Sequence, residues 1–245
     1  SYIHSTKLGA GLKLPYYFNI APNKDLTSTL QYHPSGGHWV LDNKYRHLLK
    51  NGLYNVNLEL ANNKPKTNNL VGINNDSNDQ TVRWRTVSKG EITFAKDIGL
   101  DFDINNVGDK NYLRDYHNQF VGSTTSEINL DYIKDHEYAS IKTVKIQELE
   151  VDVGGKEAPL ALPIINYSTT SKPQGGLFNQ TYSALFNSTI ITRDNGLQYR
   201  RVSATPEITV PYNLMGNLFE LSASVQGDFY NLENNFTTTQ KDNDF

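Results

Sequence analysis

Residues 8–32, LGAGLKLPYYFNIAPNKDLTSTLQY, read as two β-strands joined by a short turn. Pro15 stands in the middle of the first strand and is followed at once by Tyr16, Tyr17 and Phe18. Proline has no N–H to give to a ladder, so a strand paired along both sides excludes it. The stretch therefore asks for a sheet that tolerates a missing rung at this point.

The rest of the chain repeats the strand rhythm. In Leu53–Ala61, the residues Tyr54, Val56, Leu58 and Leu60 alternate with Asn55, Asn57 and Glu59. Asp97–Ile104 sets Ile98, Leu100, Phe102 and Ile104 against Asp97, Gly99, Asp101 and Asp103, and Phe219–Gln226 follows the same scheme. This is period two, with one apolar and one polar face. Looser copies at 24–33, 38–49, 81–94, 124–133, 137–146, 159–170, 179–192 and 198–210 bring the expectation to about twelve strands and no helix. Turn signals such as Pro34-Ser35-Gly36-Gly37, Asn51-Gly52 and Asp194-Asn195-Gly196 separate them. Short connections make successive strands antiparallel neighbours. The long polar connections 62–80 and 105–123 lie two strands apart and so leave the sheet at the same rim, as in an up-and-down barrel. No linker divides the chain, and 1–245 reads as a single segment.

Composition narrows the class. The 245 residues have a net charge of −3, 37% hydrophobic residues and no cysteine, with a mean hydropathy of −0.56. No run approaches the roughly 18 apolar residues of a membrane helix. A barrel strand shows lipid only with every second side chain, so low hydropathy is compatible with a transmembrane barrel. No basic stripe offers a nucleic-acid surface. The absence of cysteine excludes thiolate catalysis and zinc–thiolate sites. Ser1 in place of methionine, no signal-type apolar core and the polar tail Asn234–Phe245 point to a mature segment or a fragment.

Period two fits both a transmembrane barrel and a soluble β-sandwich, which differ in where the water is. Strands longer than ten residues lean toward the barrel. So do aromatics near strand ends (Tyr16, Tyr17, Phe18, Tyr32, Trp39, Tyr112) and charges on the polar faces.

The search for chemistry finds no catalytic site, metal site or cofactor fingerprint. His4, His33, His38, His47, His117 and His136 lack zinc-site spacing. No nucleophile elbow, P-loop or dinucleotide glycine pattern is present. The densest polar–aromatic cluster is NYLRDYHNQF, 111–120. Its Arg114 and Asp115, or the carboxylates Asp109 and Asp115, could be read as a site. The plainer expectation is an ordered loop with an exposed ion pair of little energetic weight. The chain is not read as an enzyme.

The opening stretch resembles the first barrel strands of the LptD family of lipopolysaccharide-assembly proteins, in which a G-x-x-LPYYW/F-x-IAPN-x-D-x-T pattern stands at this place. Further similarities follow in order: WVLDNKYRHLLKNGLYNVNLEL at 39–60, KNYLRDY at 110–116, LPIINYSTT at 162–170 and RVSATPEITVPYN at 201–213. The resemblance spans about residues 8–230. It implies part of an all-β, antiparallel up-and-down transmembrane β-barrel, about twelve strands of roughly twenty-six. It implies a protein of the Gram-negative outer membrane that inserts lipopolysaccharide into the outer leaflet through a lateral seam. Its implied partners are lipopolysaccharide, outer-membrane lipid, a lipoprotein plug of the LptE type, and a periplasmic lipopolysaccharide-transport bridge reached through a domain not in this chain. By resemblance, Leu14, Pro15, Tyr16 and Tyr17 belong to the lateral gate. Asn55, Asn57, Glu59, Asp101 and Asp103 face the hydrated lumen, and Tyr54, Val56, Leu58 and Leu60 face lipid. The family's second strand often reads T-x-T-P, whereas this chain has Thr27-Ser28-Thr29-Leu30, which leaves Pro15 as the gate proline. The alternatives are a general porin-type barrel, with a closed seam, and a soluble carbohydrate-binding sandwich, which folds in water.

Overall fold

A computed structural model of the chain describes residues 1–5, 8–35, 37–62, 82–149, 160–174, 179–192 and 196–235. Its elements are β1 (Tyr2–Ser5), β2 (Gly9–Ala21), β3 (Lys24–His33), β4 (His38–Leu49), β5 (Gly52–Asn62), β6 (Val82–Ala95) and β7 (Ile98–Val107). After α1 (Tyr112–His117) come β8 (Ser123–Lys134), β9 (Glu137–Glu148), β10 (Leu160–Thr170), β11 (Thr181–Thr192), β12 (Gly196–Leu214), β13 (Asn217–Ser224) and β14 (Gly227–Asn235). They form one 14-stranded sheet in sequence order from β1 to β13, with β14 on β12. The up-and-down order expected from the short turns is thus observed. The connection 63–81 and the turn glycines Gly154-Gly155 lie outside the described residues.

The chain divides into two compact units whose boundaries cross strands β6, β7, β8 and β9 and also fall between Val151 and Asp152. In the first unit (Ser1–Ile92, Asp101–Ser126, Gln147–Val151), register fixes the faces. Asp42 stands opposite Glu59, and Glu59 opposite Arg85. The same alternation places Asp25, Lys44, Arg46, Asn55, Asn57 and Lys89 on that polar face. The reverse face carries Leu12, Leu14, Tyr16, Phe18 and Ile20 of β2, followed across the sheet by Leu30, Leu41, Leu60 and Trp84. All five of those β2 side chains are exposed, Tyr16 at 64%. A sandwich would bury such a face under a second sheet. Here every described strand belongs to one sheet.

In the second unit, Asn166 stands between Ser140 and Asn187. Its amide donates to Ser140 Oγ at 3.1 Å and its Oδ1 accepts from Asn187 at 2.6 Å. β13 and β14 keep one register on β12: the pairing Glu207↔Ser224 continues as Ala204↔Gly227. They are one strand with a break opposite Pro206. The cause is local, since Val225 N–H donates to the Pro206 carbonyl but Pro206 has no N–H to return.

The other prolines within strands obey the same accounting. The register slips between Ala161 and Ile164 on both sides of β10, so Pro163 sits in a bulge. Pro211 points toward β11, but the ladder with β11 ends at Thr209, which pairs with Thr181.

Two expectations are corrected. Residues 112–117 form a helix instead of a loop, closed by Asn118 in the left-handed region at φ 52°. Tyr112 belongs to no rim of aromatics, because its side chain is fully buried. It lies in a small apolar core with Val40, Ala61, Val107, Leu113 and Leu149, against which Tyr116 packs. Val40 and Ala61 occupy polar-face positions at strand ends, so that face turns apolar where α1 sits on it.

Candidate functional site: an edge-facing proline and a capped polar face

Ser1 and Lys13 exchange both backbone hydrogen bonds, at 2.7 and 2.8 Å. In an antiparallel strand the N–H and C=O of one residue point to the same neighbour, and the direction alternates. Lys13 therefore points toward β1, and so does Pro15, two residues on. β1 reaches only to Tyr2 opposite Leu12. On the other side, Pro15 stands opposite Thr29, between Leu14↔Leu30 and Tyr16↔Ser28, and the ladder to β3 loses no rung. The missing donor faces outward. Of the four gate candidates, Leu14 and Tyr16 project onto the apolar face, and Pro15 and Tyr17 onto the polar one.

The apolar face carries aromatic rows at both ends of its strands. Tyr32 pairs with Trp39 at one end, and His47 pairs with Tyr54 at the other. At that second end, His47 Nδ1 lies 3.1 Å from Tyr54 Oη and Nε2 lies 3.3 Å from Asn23. Trp39 and His47 are eight residues apart on β4, or about 27 Å along the strand. At a barrel tilt of roughly 35–45° that length rises about 19–22 Å, a little less than the apolar band of about 25 Å between interfacial girdles. Gly90 belongs to the second row: a Cβ there would meet the Phe102 ring at 2.6 Å.

The polar face holds all five lumen candidates. Asn55, Asn57 and Glu59 share one side of β5. Asp103, with Asp101 two residues before it, is joined to that side through Lys89 Nζ at 2.6 Å. Asp101 and Asp103 are exposed. Glu59 is not: only 5% of it is accessible, because α1 lies over it.

The α1 contact is the densest polar construction in this unit. Arg83 of β6, completely buried, forks onto Asp109 with Nε–Oδ2 at 2.6 Å and a second bond from Nη2 to Oδ1. Its Nη1 donates to Asp115 at 3.0 Å. The guanidinium lies 5.1 Å from the Tyr116 ring centroid and 5.7 Å from that of Tyr112. One strand over, Glu59 accepts from Tyr112 Oη at 3.4 Å and from His117 Nε2 at 2.6 Å, with Arg85 Nη1 at 3.6 Å. Burial, and then the Glu59 charge, hold the Tyr112 phenol far above its ordinary pKa. Burial raises that of Tyr116 as well, against the opposing effect of Arg83. Gly108, just past β7, leaves room for Trp84 of the reverse face, since a Cβ there would meet Trp84 Nε1 at 2.7 Å. Asn62 closes the structure: its side chain binds Trp39 N–H at 2.6 Å and the Gly37 carbonyl at 3.0 Å, and its own carbonyl accepts from Tyr116 Oη at 3.1 Å.

The segment 111–120 is therefore more than a surface loop. Arg114 does approach Asp115, at 3.6 Å. The main partner of Asp115, however, is Arg83, which sequence reading passes over. The available signal is the apolar residues Val40, Ala61 and Val107 at strand ends where alternation calls for polar ones. No cluster among the described residues has the composition of a metal site, and no helix among them is long and apolar enough to cross a membrane.

Comparison with known proteins agrees with this architecture. Residues 81–244 match the family model described as LptD, LPS transport system D. The LPS-assembly protein LptD of Actinobacillus pleuropneumoniae serotype 5b is 32% identical over 187 residues, 72% of this chain and 23% of that protein. The LptD of Haemophilus ducreyi is 32% identical over 139 residues, 54% of this chain and 16% of that protein. The LptD of Escherichia coli K12 is 24% identical over 203 residues, 81% of this chain and 25% of that protein. The chain thus spans about a quarter or less of the length of these relatives, and it belongs to the LptD family.

Proposed function

We propose that this chain is a wall segment of an outer-membrane barrel that inserts lipopolysaccharide into the outer leaflet, and that the lipid leaves through a seam beside β2. The carrying observation is the orientation of Pro15. Its missing N–H faces the flank of β2 away from β3, so a strand pairing there lacks one rung in mid-strand. Parting such a seam costs less by about one net backbone hydrogen bond, roughly 0.5–1.5 kcal/mol. Leu14 and Tyr16 then border the opening on the lipid side, and Tyr17 on the lumen side. The exposed apolar face of β2–β6 lies against hydrocarbon. The polar face, with Asn55, Asn57, Asp101 and Asp103, lines a hydrated lumen that accommodates sugars and a lipoprotein plug of the LptE type. No catalytic chemistry is required, because the work is transport.

Pro15→Ala in the full-length protein tests the seam. The restored donor strengthens pairing, so crosslinking across the seam should rise and surface lipopolysaccharide should appear more slowly in cells. Unchanged crosslinking together with unchanged export removes Pro15 from the mechanism.

A further inference from the structure

We infer that α1 is a cap folded onto the polar face, and that Arg83 is the buried latch that holds it shut against small polar solutes. The inference rests on this face lining an aqueous lumen, as proposed above.

Three features of the contact support it. First, the cap is gripped at two separate points of the wall. Arg83 of β6 takes Asp109 and Asp115, and Glu59 of β5 takes Tyr112 and His117. Second, the seat is built to receive it: Val40, Ala61 and Val107 replace the expected polar residues where Tyr112 and Leu113 press down. A loop that merely crossed the rim would need no such break in the alternation. Third, the latch has no function in the wall itself. Register places Ala61, not an acid, opposite Arg83, and both of its carboxylate partners come from the 108–117 stretch. With the cap only partly lifted, Arg83 would lose its carboxylates while still shielded from water; fully released, it would face the lumen. Burial of such a charge is tolerated only when it is paired. The contact therefore favours two arrangements, fully seated or fully released, and disfavours those between. That is the behaviour of a lid.

The test uses the full-length protein with Asp109→Asn and Asp115→Asn together, which unpairs the latch from the cap side and alters no strand. Arg83→Lys serves as a graded partner, keeping the charge but losing the fork. Seating is read from maleimide labelling of a thiol introduced by Leu113→Cys, since Leu113 is 3% exposed in the seated state. Passage is read as ion conductance of the purified protein in planar bilayers. Export is read as surface lipopolysaccharide in cells. In the double variant, the introduced thiol should label and conductance should rise severalfold while export holds, and Arg83→Lys should fall between. A thiol that stays protected in the double variant overturns the latch. A labelled thiol with wild-type conductance overturns the cap. Failure of the wild-type protein to insert into bilayers at all instead removes the lumen assignment beneath both.

Discussion

Arg83 is the largest fully buried side chain among the described residues. Its guanidinium is removed from water, and its side chain is 1% exposed beside Asp115 at 8% and Asp109 at 24%. Breaking such a group from one side leaves uncompensated charge, which typically costs about 3–5 kcal/mol. Arg83→Met should therefore destabilise α1 by that order, read as lost amide-exchange protection at Tyr112–His117, while the strand pairing Ala61↔Arg83 persists. Retained protection would mean that the apolar seat alone holds the helix. The two phenols give a second readout. Because burial raises both, they stay protonated in the seated cap while an unfolded tyrosine ionises near pH ~10. The stabilisation is thus fully present below that pH and is lost as the pH rises toward the folded values. By ultraviolet absorbance, Tyr112 and Tyr116 should resist ionisation above the pH at which an unfolded tyrosine titrates, and Asp109→Asn/Asp115→Asn should remove that resistance.

At the scale of elements, much is legible in the sequence and the reasons are simple. Strands β2–β5 follow from alternation and turn residues, because side-chain direction in a strand depends only on parity. The helix does not follow. Six residues are too few to show a helical period, and α1 is held by Arg83 and Glu59, whose approach no local pattern encodes. Arg83 itself looks like one more polar-face residue in an alternating strand. β13 and β14 illustrate the opposite case: alternation predicts one strand at Phe219–Gln226, and the ladder breaks there because of a proline on the neighbouring strand. Pro206→Val should restore the rung and join β13 to β14, with slower amide exchange around Val225 and a gain of about 0.5–1.5 kcal/mol. No change in exchange would show that the break has another origin. The direction of Pro15 is likewise beyond sequence alone, since it requires knowing that Lys13 pairs with Ser1.

For the whole molecule, the decisive property is which face meets water. Leu58 and Asn57 are adjacent in β5 and point to opposite faces. If the apolar face lies in hydrocarbon, Leu58→Arg should cost about 2–4 kcal/mol near mid-membrane and impair barrel assembly. Asn57→Arg, on the lumen side, should assemble normally. Heat-modifiable gel mobility of the full-length variants separates these outcomes, and equal tolerance of both would reverse or abolish the assignment of faces. Alternation establishes that there are two faces but not which solvent each one meets. The single sheet with exposed β2 leucines and aromatics, together with family membership, supports hydrocarbon on the apolar one.

Asn62 gives the polar face a mechanical property. One residue fastens the β3–β4 turn through Gly37 and Trp39, and it also receives the hydroxyl of Tyr116 from the helix. It works as a shared rivet: force applied to the helix is transmitted to the hairpin formed by β3 and β4. Since β3 is the strand on which β2 rests, strain at that rim has a short, hydrogen-bonded route to the neighbour of the proposed seam.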